Sequence, residues 1–352
     1  MKILVTGNMG YVGPGVVEQL RRSYPDAELT GLDTAYFAAG LTGATVLPES
    51  RLNVQHFGDV RGLPADVLRG VDAVVHLAAV SNDPMGNRFE KVTLDINHRA
   101  TVELAKQARA LGVSSFVFAS SCSVYGAADD SARTEDSPVA PLTAYARSKV
   151  LSEQGLAELA GPGFRVTCLR FATACGWSDR LRLDLVLNDF VAAALAEKVV
   201  RIQSDGTPWR PLIHVRDMAR AIDWAVGRDA SAGDCVVTNV GADDWNHQVR
   251  DLAAAVAKVI PGVEIWVNPD AVPDRRSYRV AFERFRRLAP QHQPTWDLVA
   301  TVTELAEGLQ RLGFTDAAFR TSRFVRLNVL TALRAKGVLD EDLRWTPRRD
   351  RV

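Results

Sequence analysis

Cysteine is scarce in this chain. Its four copies in 352 residues, Cys122, Cys168, Cys175 and Cys235, form no CxxC pair and no Cys/His ligand spacing, which argues against a disulfide framework or a thiolate metal site. Free thiols in a reducing cytoplasm are the expectation. No apolar run approaches the ~18 residues of a membrane span, and Met1-Lys2 passing straight into Ile3-Leu4-Val5 reads as a first strand and not as a leader. Charge of either sign is not in excess, with Lys plus Arg and Asp plus Glu at 42 each. No overall field therefore draws the chain to nucleic acid or to a membrane surface, and an anionic ligand has to be held locally. Histidine numbers six, and His76 sits inside an apolar run with no second histidine placed to complete a site, so no metal is expected. What is present, 47% hydrophobic against 24% charged residues, suffices for one large α/β unit with an appended lobe.

Lys2-Ile3-Leu4-Val5 runs into Thr6-Gly7-Asn8-Met9-Gly10-Tyr11-Val12-Gly13 and then into a helix carrying Val16, Val17 and Leu20, with Pro14 in its first turn. Glycines at 7, 10 and 13 let the backbone turn tightly and approach a pyrophosphate, which the free N–H groups of the helix start would face. The next apolar segment, Ala27 to Leu32, ends in Asp33, about 20 residues past the last glycine, where a carboxylate can accept both ribose hydroxyls of an adenosine. It would repel a 2′-phosphate, so NAD is expected over NADP. Val54 to Gly58, with Asp59-Val60 placed to touch adenine, and Asp72 to Ala79 supply two more strands. A helix from about Asp95 to Leu111 then leads to Ser115-Phe116-Val117-Phe118-Ala119, a buried strand that delivers Ser120 and Ser121 at its carboxyl end.

The alternation of strand and helix predicts an α/β fold, a doubly wound parallel sheet of Rossmann type with a smaller C-terminal substrate-binding lobe. Residues 1–170, with 211–241 returning to them, are expected to form the NAD-binding domain. Residues 171–210 and 242–352 are assigned to the lobe and a helical tail.

Tyr145 and Lys149 stand at i and i+4 and so share one helix face. A phenol titrates near ~10, and a fixed ammonium beside it favours the phenolate, which is what a general base needs.

Thr6-Gly7-x-x-Gly10-x-x-Gly13, Asp33, Gly58-Asp59-Val60, His76-Leu77-Ala78-Ala79, Asn97, Ser121 through Tyr125-Gly126, and Tyr145-x-x-x-Lys149 together resemble the extended short-chain dehydrogenases/reductases, and within them the NAD-dependent nucleotide-sugar epimerases and dehydratases. The resemblance implies that Tyr145 takes the proton of a sugar hydroxyl while hydride leaves its carbon for the nicotinamide. Lys149 would hold the nicotinamide ribose and depress the tyrosine pKa, and Ser121, four residues before Tyr125, would orient the hydroxyl. Cofactor contacts implied besides the glycines, Asp33, Asp59, Val60, Tyr145 and Lys149 are Asn8, Met9, Tyr11, Val12, Leu77, Ala78, Ala79, Asn97 and Phe171. Contacts implied for a nucleotide-diphosphate sugar are Ser121, Ser123, Thr173, Arg210 and Arg276, with Thr173 standing where many relatives have asparagine. A homodimer built on the helices Asp95 to Leu111 and Tyr145 to Leu159 is likewise implied.

Family 4,6-dehydratases carry Asp-Glu directly after the serine. This chain has Cys122-Ser123, which favours an epimerase, at C4, over a dehydratase, with an NAD(P)H-dependent ketoreductase as the alternative. Cys122 reads as packing. Asp184 and Asn188 read as capping residues or substrate contacts, and His214 and Asp217 as structural. After about Leu288 the resemblance thins, and the arginine-rich tail with Phe324, Leu327, Leu330 and Leu333 at helical spacing predicts an amphipathic helix with a solvated basic face.

Overall fold

The computed structural model describes residues 1–127, 131–271 and 277–347. Its elements in chain order are β1 (Lys2–Thr6), α1 (Gly13–Ser23), β2 (Glu28–Asp33), β3 (Val54–Phe57), β4 (Ala73–His76), α2 (Asp83–Arg88), α3 (Glu90–Leu94), α4 (Ala100–Ala110), β5 (Ser115–Ser121), α5 (Ala144–Ala157), β6 (Arg165–Phe171), β7 (Thr173–Cys175) and α6 (Val186–Ala196). They continue with β8 (Val199–Ile202), β9 (Trp209–His214), α7 (Val215–Gly227), β10 (Cys235–Val240), β11 (Asn246–Gln248), α8 (Val249–Val259), β12 (Glu264–Val267), α9 (Glu283–Leu288), α10 (Leu298–Arg311) and α11 (Arg326–Ala335). A π turn, Asp95–Arg99, joins α3 to α4.

Seven strands in the order β10-β6-β5-β4-β1-β2-β3 form one sheet, and every pairing in it is parallel. Alternate side chains of its strands feed two cores. Ile3, Val5, Val75 and Val117 pack to one face, while Leu4, Val74, Phe116 and Phe118 pack to the other. Burial on both faces is why these strands read as continuous apolar runs. The strands run outward from β1 on one side and from β4 on the other, so the strand order switches between β1 and β4, and the crevice above their carboxyl ends is where such sheets take ligands.

The lobe is built from two small sheets, β11-β9-β7 and β12-β8, with α6, α8 and α10 packed against one another. One expected boundary shifts. The β9 strand, placed by sequence with the segment returning to the main sheet, pairs instead with β7 and β11, so only α7 and β10 return. Among the described residues no helix is long and apolar enough to cross a membrane.

Candidate active site

A cavity of about 680 Å³ lies over the carboxyl ends of β1, β4, β5 and β6. Its cofactor side is shaped by the glycine turn. Gly7 has φ +75°, and a Cβ on it would stand 2.6 Å from the Ala78 nitrogen; one on Gly13 would stand 2.0 Å from the Asn8 carbonyl oxygen. Only backbone fits at either point, which leaves room for a dinucleotide to lie against main chain. The α1 helix starts with Pro14 in its first turn and no side-chain cap, so its first N–H groups remain available to an anion. Asp33 accepts from the Met9 N–H at 3.0 Å and the Ala35 N–H at 2.7 Å; burial still raises its pKa above the usual carboxylate value. The groups present suit a pyrophosphate and an adenosine ribose.

Gly7, Gly10, Tyr11, Val12, Gly13, Asp33, Asp59, Val60, Leu77, Ala78, Ala79 and Phe171 all line the cleft. Three residues expected there do not. Asn8 turns its amide to Gln55 at 2.6 Å, and Met9 is buried, its N–H bound to Asp33. Asn97 spends its amide on both backbone groups of Val80 and on the Ser148 hydroxyl, so it fixes the loop after β4. Asp59 lines the cleft, but its carboxylate is gripped by Arg61 at 2.5 Å. Although burial raises its pKa, that guanidinium holds it below the usual range.

The catalytic residues expected from sequence share one wall. Ser121 ends β5 and accepts the Ser123 N–H at 3.1 Å, while α5 begins at the Thr143 cap and carries Tyr145 and Lys149. Burial pushes the Tyr145 phenol up to about 12, with the Asp83 carboxylate adding to the rise and the Ser121 hydroxyl opposing it. Burial therefore works against the depression expected from the Lys149 ammonium. The Lys149 ammonium donates to the Ala119 carbonyl at 2.7 Å and lies 5.5 Å from the tyrosine ring centre. Its own pKa falls to about 7 through burial, with Glu153 opposing. Desolvation here outweighs the pairwise attraction.

Below this wall a buried network keeps the strands in register. Ser120 donates to Glu153, Glu153 pairs with Arg170 at 2.7 Å, and Arg170 donates to Tyr125, which donates to Asn239. Cys122 faces the Arg170 carbonyl, fully buried, and burial drives its thiol well above its ordinary value, in keeping with a packing role. Ser123 differs. Its hydroxyl is shielded from solvent, has no partner among the described residues, and belongs to a residue lining the cleft. His76 is bonded on both ring nitrogens by Thr6 and Thr101, and burial holds it neutral, near about 3. Among the described residues no three His, Cys, Asp or Glu side chains come together as metal ligands.

Thr173 and Arg210 line the far end of the cleft, where the Arg210 guanidinium also donates to the Trp209 carbonyl. Arg276 lies outside the described residues. Asn188 is buried beneath the site and fixes Tyr11 and Arg182 by donating to both. His214 caps α7, bonds Glu304 at 2.8 Å and stacks on Trp296, and Asp217 accepts the Thr295 and Trp296 N–H groups; both are structural.

Several cleft residues went unread in the sequence. Asp83 accepts from Thr143 at 2.6 Å, and the polar Asn82-Asp83-Pro84 turn after an apolar strand was a usable signal. Tyr278 is buried beside Tyr145 and Arg210. Arg182 donates to both oxygens of Asp184 at 2.8 and 3.0 Å and to Ser81 at 3.0 Å. Arg326, expected on a solvated face, is 2% exposed and lines the cleft.

Residues 3–241 match the model of the NAD dependent epimerase/dehydratase family. The chain is 32% identical over 278 residues to the UDP-glucose 4-epimerase of Corynebacterium glutamicum, covering 74% of this chain and 80% of that one. It is 30% identical over 308 residues to the dTDP-glucose 4,6-dehydratase of Streptomyces griseus, covering 85% and 92%. Among solved structures, MoeE5 in complex with UDP-glucuronic acid and NAD has a TM-score of 0.75 and 26% identity over 89% of this chain and 100% of that one. With more than half of its length matched, a parallel sheet of the same kind and a glycine cradle at its switch point, the chain belongs to the NAD-dependent epimerase/dehydratase family.

Proposed function

We propose that the protein is a nucleotide-sugar epimerase that inverts a hydroxyl-bearing carbon, C4, by way of a transient ketone. The observation that carries this reading is the Ser121, Tyr145 and Lys149 wall followed by a buried thiol and a hydroxyl, Cys122 and Ser123, where an elimination would use an acid and a base. NAD, when bound in the cleft, supplies a hydride acceptor that becomes the donor. The chain's residues manage the proton. Ser121 orients the sugar hydroxyl, Tyr145 takes its proton and later returns one to the same oxygen once the ketone has turned its other face, and the Lys149 ammonium lowers the cost of the phenolate. Thr173, Ser123 and Arg210, joined by Arg276, hold the nucleotide-diphosphate sugar; the planar guanidinium suits a diphosphate. Asp33 selects NAD over NADP by its charge.

The relative named a 4,6-dehydratase and the Asp83 carboxylate beside Tyr145 favour a dehydratase as the second reading, and a one-way ketoreductase would use the same wall. Incubating the protein without added cofactor with UDP-, GDP-, CDP- and dTDP-sugars separates the three. A product of unchanged mass and new retention is expected. One lighter by a water means a dehydratase, and turnover only on a keto-sugar with reduced cofactor means a reductase. We place the enzyme in the cytoplasm as a homodimer through the outer faces of α4 and α5, where Leu151 is 39% exposed; light scattering at a monomer mass would remove the dimer.

A further inference from the structure

The last described stretch of the chain lies outside the family match, yet it closes one end of the cleft. Arg326 opens α11, and its guanidinium lies over the Phe37 ring at 4.3 Å and donates to the Arg180 carbonyl at 2.8 Å. It joins no carboxylate in an ion pair among the described residues, although it is 2% exposed and lines the cavity. Burial and the Arg182 and Arg180 guanidinium groups pull its pKa down to about 9 against the Asp184 and Asp33 carboxylates, so it remains charged at neutral pH. A buried cation with no carboxylate in ion-pair contact is costly. An anion that enters the cleft would offset more of this cost, and the glycine turn lining the same cleft suits a pyrophosphate.

Beyond α11 the chain is pinned to the loops that carry Asp33 and Asp59. The Arg61 guanidinium donates to the Asp342 carbonyl at 2.6 Å, the Tyr36 hydroxyl donates to the Leu343 carbonyl, and the Trp345 indole donates to the Thr34 carbonyl at 2.7 Å. Trp345 also packs its ring against Tyr36, 5.6 Å between centres. Every one of these anchors holds the tail across the adenosine end.

We infer that residues 326–345 form a strap over the adenosine half of the dinucleotide site, with Arg326 as a further anchor for the pyrophosphate, so that NAD stays bound from one turnover to the next. This rests on NAD occupying the cleft and not on which sugar carbon reacts. A catalyst that returns its hydride to the same sugar gains from a cofactor that does not leave, whereas one that consumes NADH must release it.

The test is exchange of bound cofactor. Full-length protein is purified, its dinucleotide is released with acid and quantified, and native protein is mixed with excess etheno-NAD, a fluorescent analogue. Wild type is expected to carry NAD and exchange slowly. Arg326→Ala should exchange about 10-fold faster or more, the scale of one charge-assisted hydrogen bond, Trp345→Ala about fivefold faster, the scale of one neutral hydrogen bond, and Arg326→Lys should recover part of the difference. If Arg326→Ala does not fold, Trp345→Ala, at the half-exposed rim, decides alone. Equal exchange in wild type and the variants overturns the strap while leaving the epimerase reading intact. Wild type that neither contains nor binds dinucleotide overturns both.

Discussion

The floor and the roof of the cleft are made in different ways. The floor, Ser121, Tyr145 and Lys149, comes from one strand end and the next helix, and its geometry is set by the sheet register and the Thr143 cap. The roof, Arg182, Asp184, Tyr278 and Arg326, comes from segments scattered over the second half of the chain and meets only in the fold. The floor holds what the reaction needs, and the roof holds what the ligands need. Changes in the floor should therefore stop chemistry without releasing ligand, and changes in the roof should do the reverse.

The sharpest break is Tyr145→Phe, which removes the transferable proton and keeps the ring. Turnover should fall by about 10³-fold or more, with bound NAD unchanged when released and quantified. Arg182→Ala attacks the roof. It strips a largely shielded Asp184 carboxylate that Arg182, with Arg326, holds below its ordinary pKa in spite of burial, and should cost on the order of 3 kcal/mol in urea unfolding.

Lys149→Met separates stability from chemistry within the floor. Folded Lys149 titrates at about 7 against ~10.4 in the unfolded chain, so between those values the unfolded chain binds more protons and stability rises with pH. Below pH 7 wild type bears the full cost of the buried charge. The variant, inactive, should therefore melt higher than wild type at pH 6.5, and the gap should close toward pH 10. Smallest of all, Cys122→Ala should change the turnover rate by less than about threefold, because a buried thiol kept protonated has no part in proton transfer; a larger loss in kcat at unchanged melting temperature would make Cys122 a participant.

How much of this was legible in the sequence follows the same division. The sheet, the glycine turn, Asp33 and the Ser121, Tyr145 and Lys149 set could be read because each is a short-range pattern whose spacing has a physical reason. The Val80 bonds of Asn97 were not legible because an amide at a plausible position gives no sign of whether it faces a ligand or a neighbouring loop. The upward push of burial on the tyrosine was not legible because charge spacing is visible in a sequence and desolvation is not. Arg326 was unreadable on its own: it sits in a row of arginines at helical spacing, most of which are exposed, and only the docking of α11 on Phe37 and Arg180 singles it out. Chain length between contacts, not the kind of residue, sets the limit.

The most direct test of the account uses a nucleotide sugar deuterated at C4, given to the purified protein with no added cofactor and followed by NMR. The account predicts a C4-inverted product that keeps its deuterium at C4. Loss of the label to solvent, or a requirement for added NADH or NADPH, would contradict it.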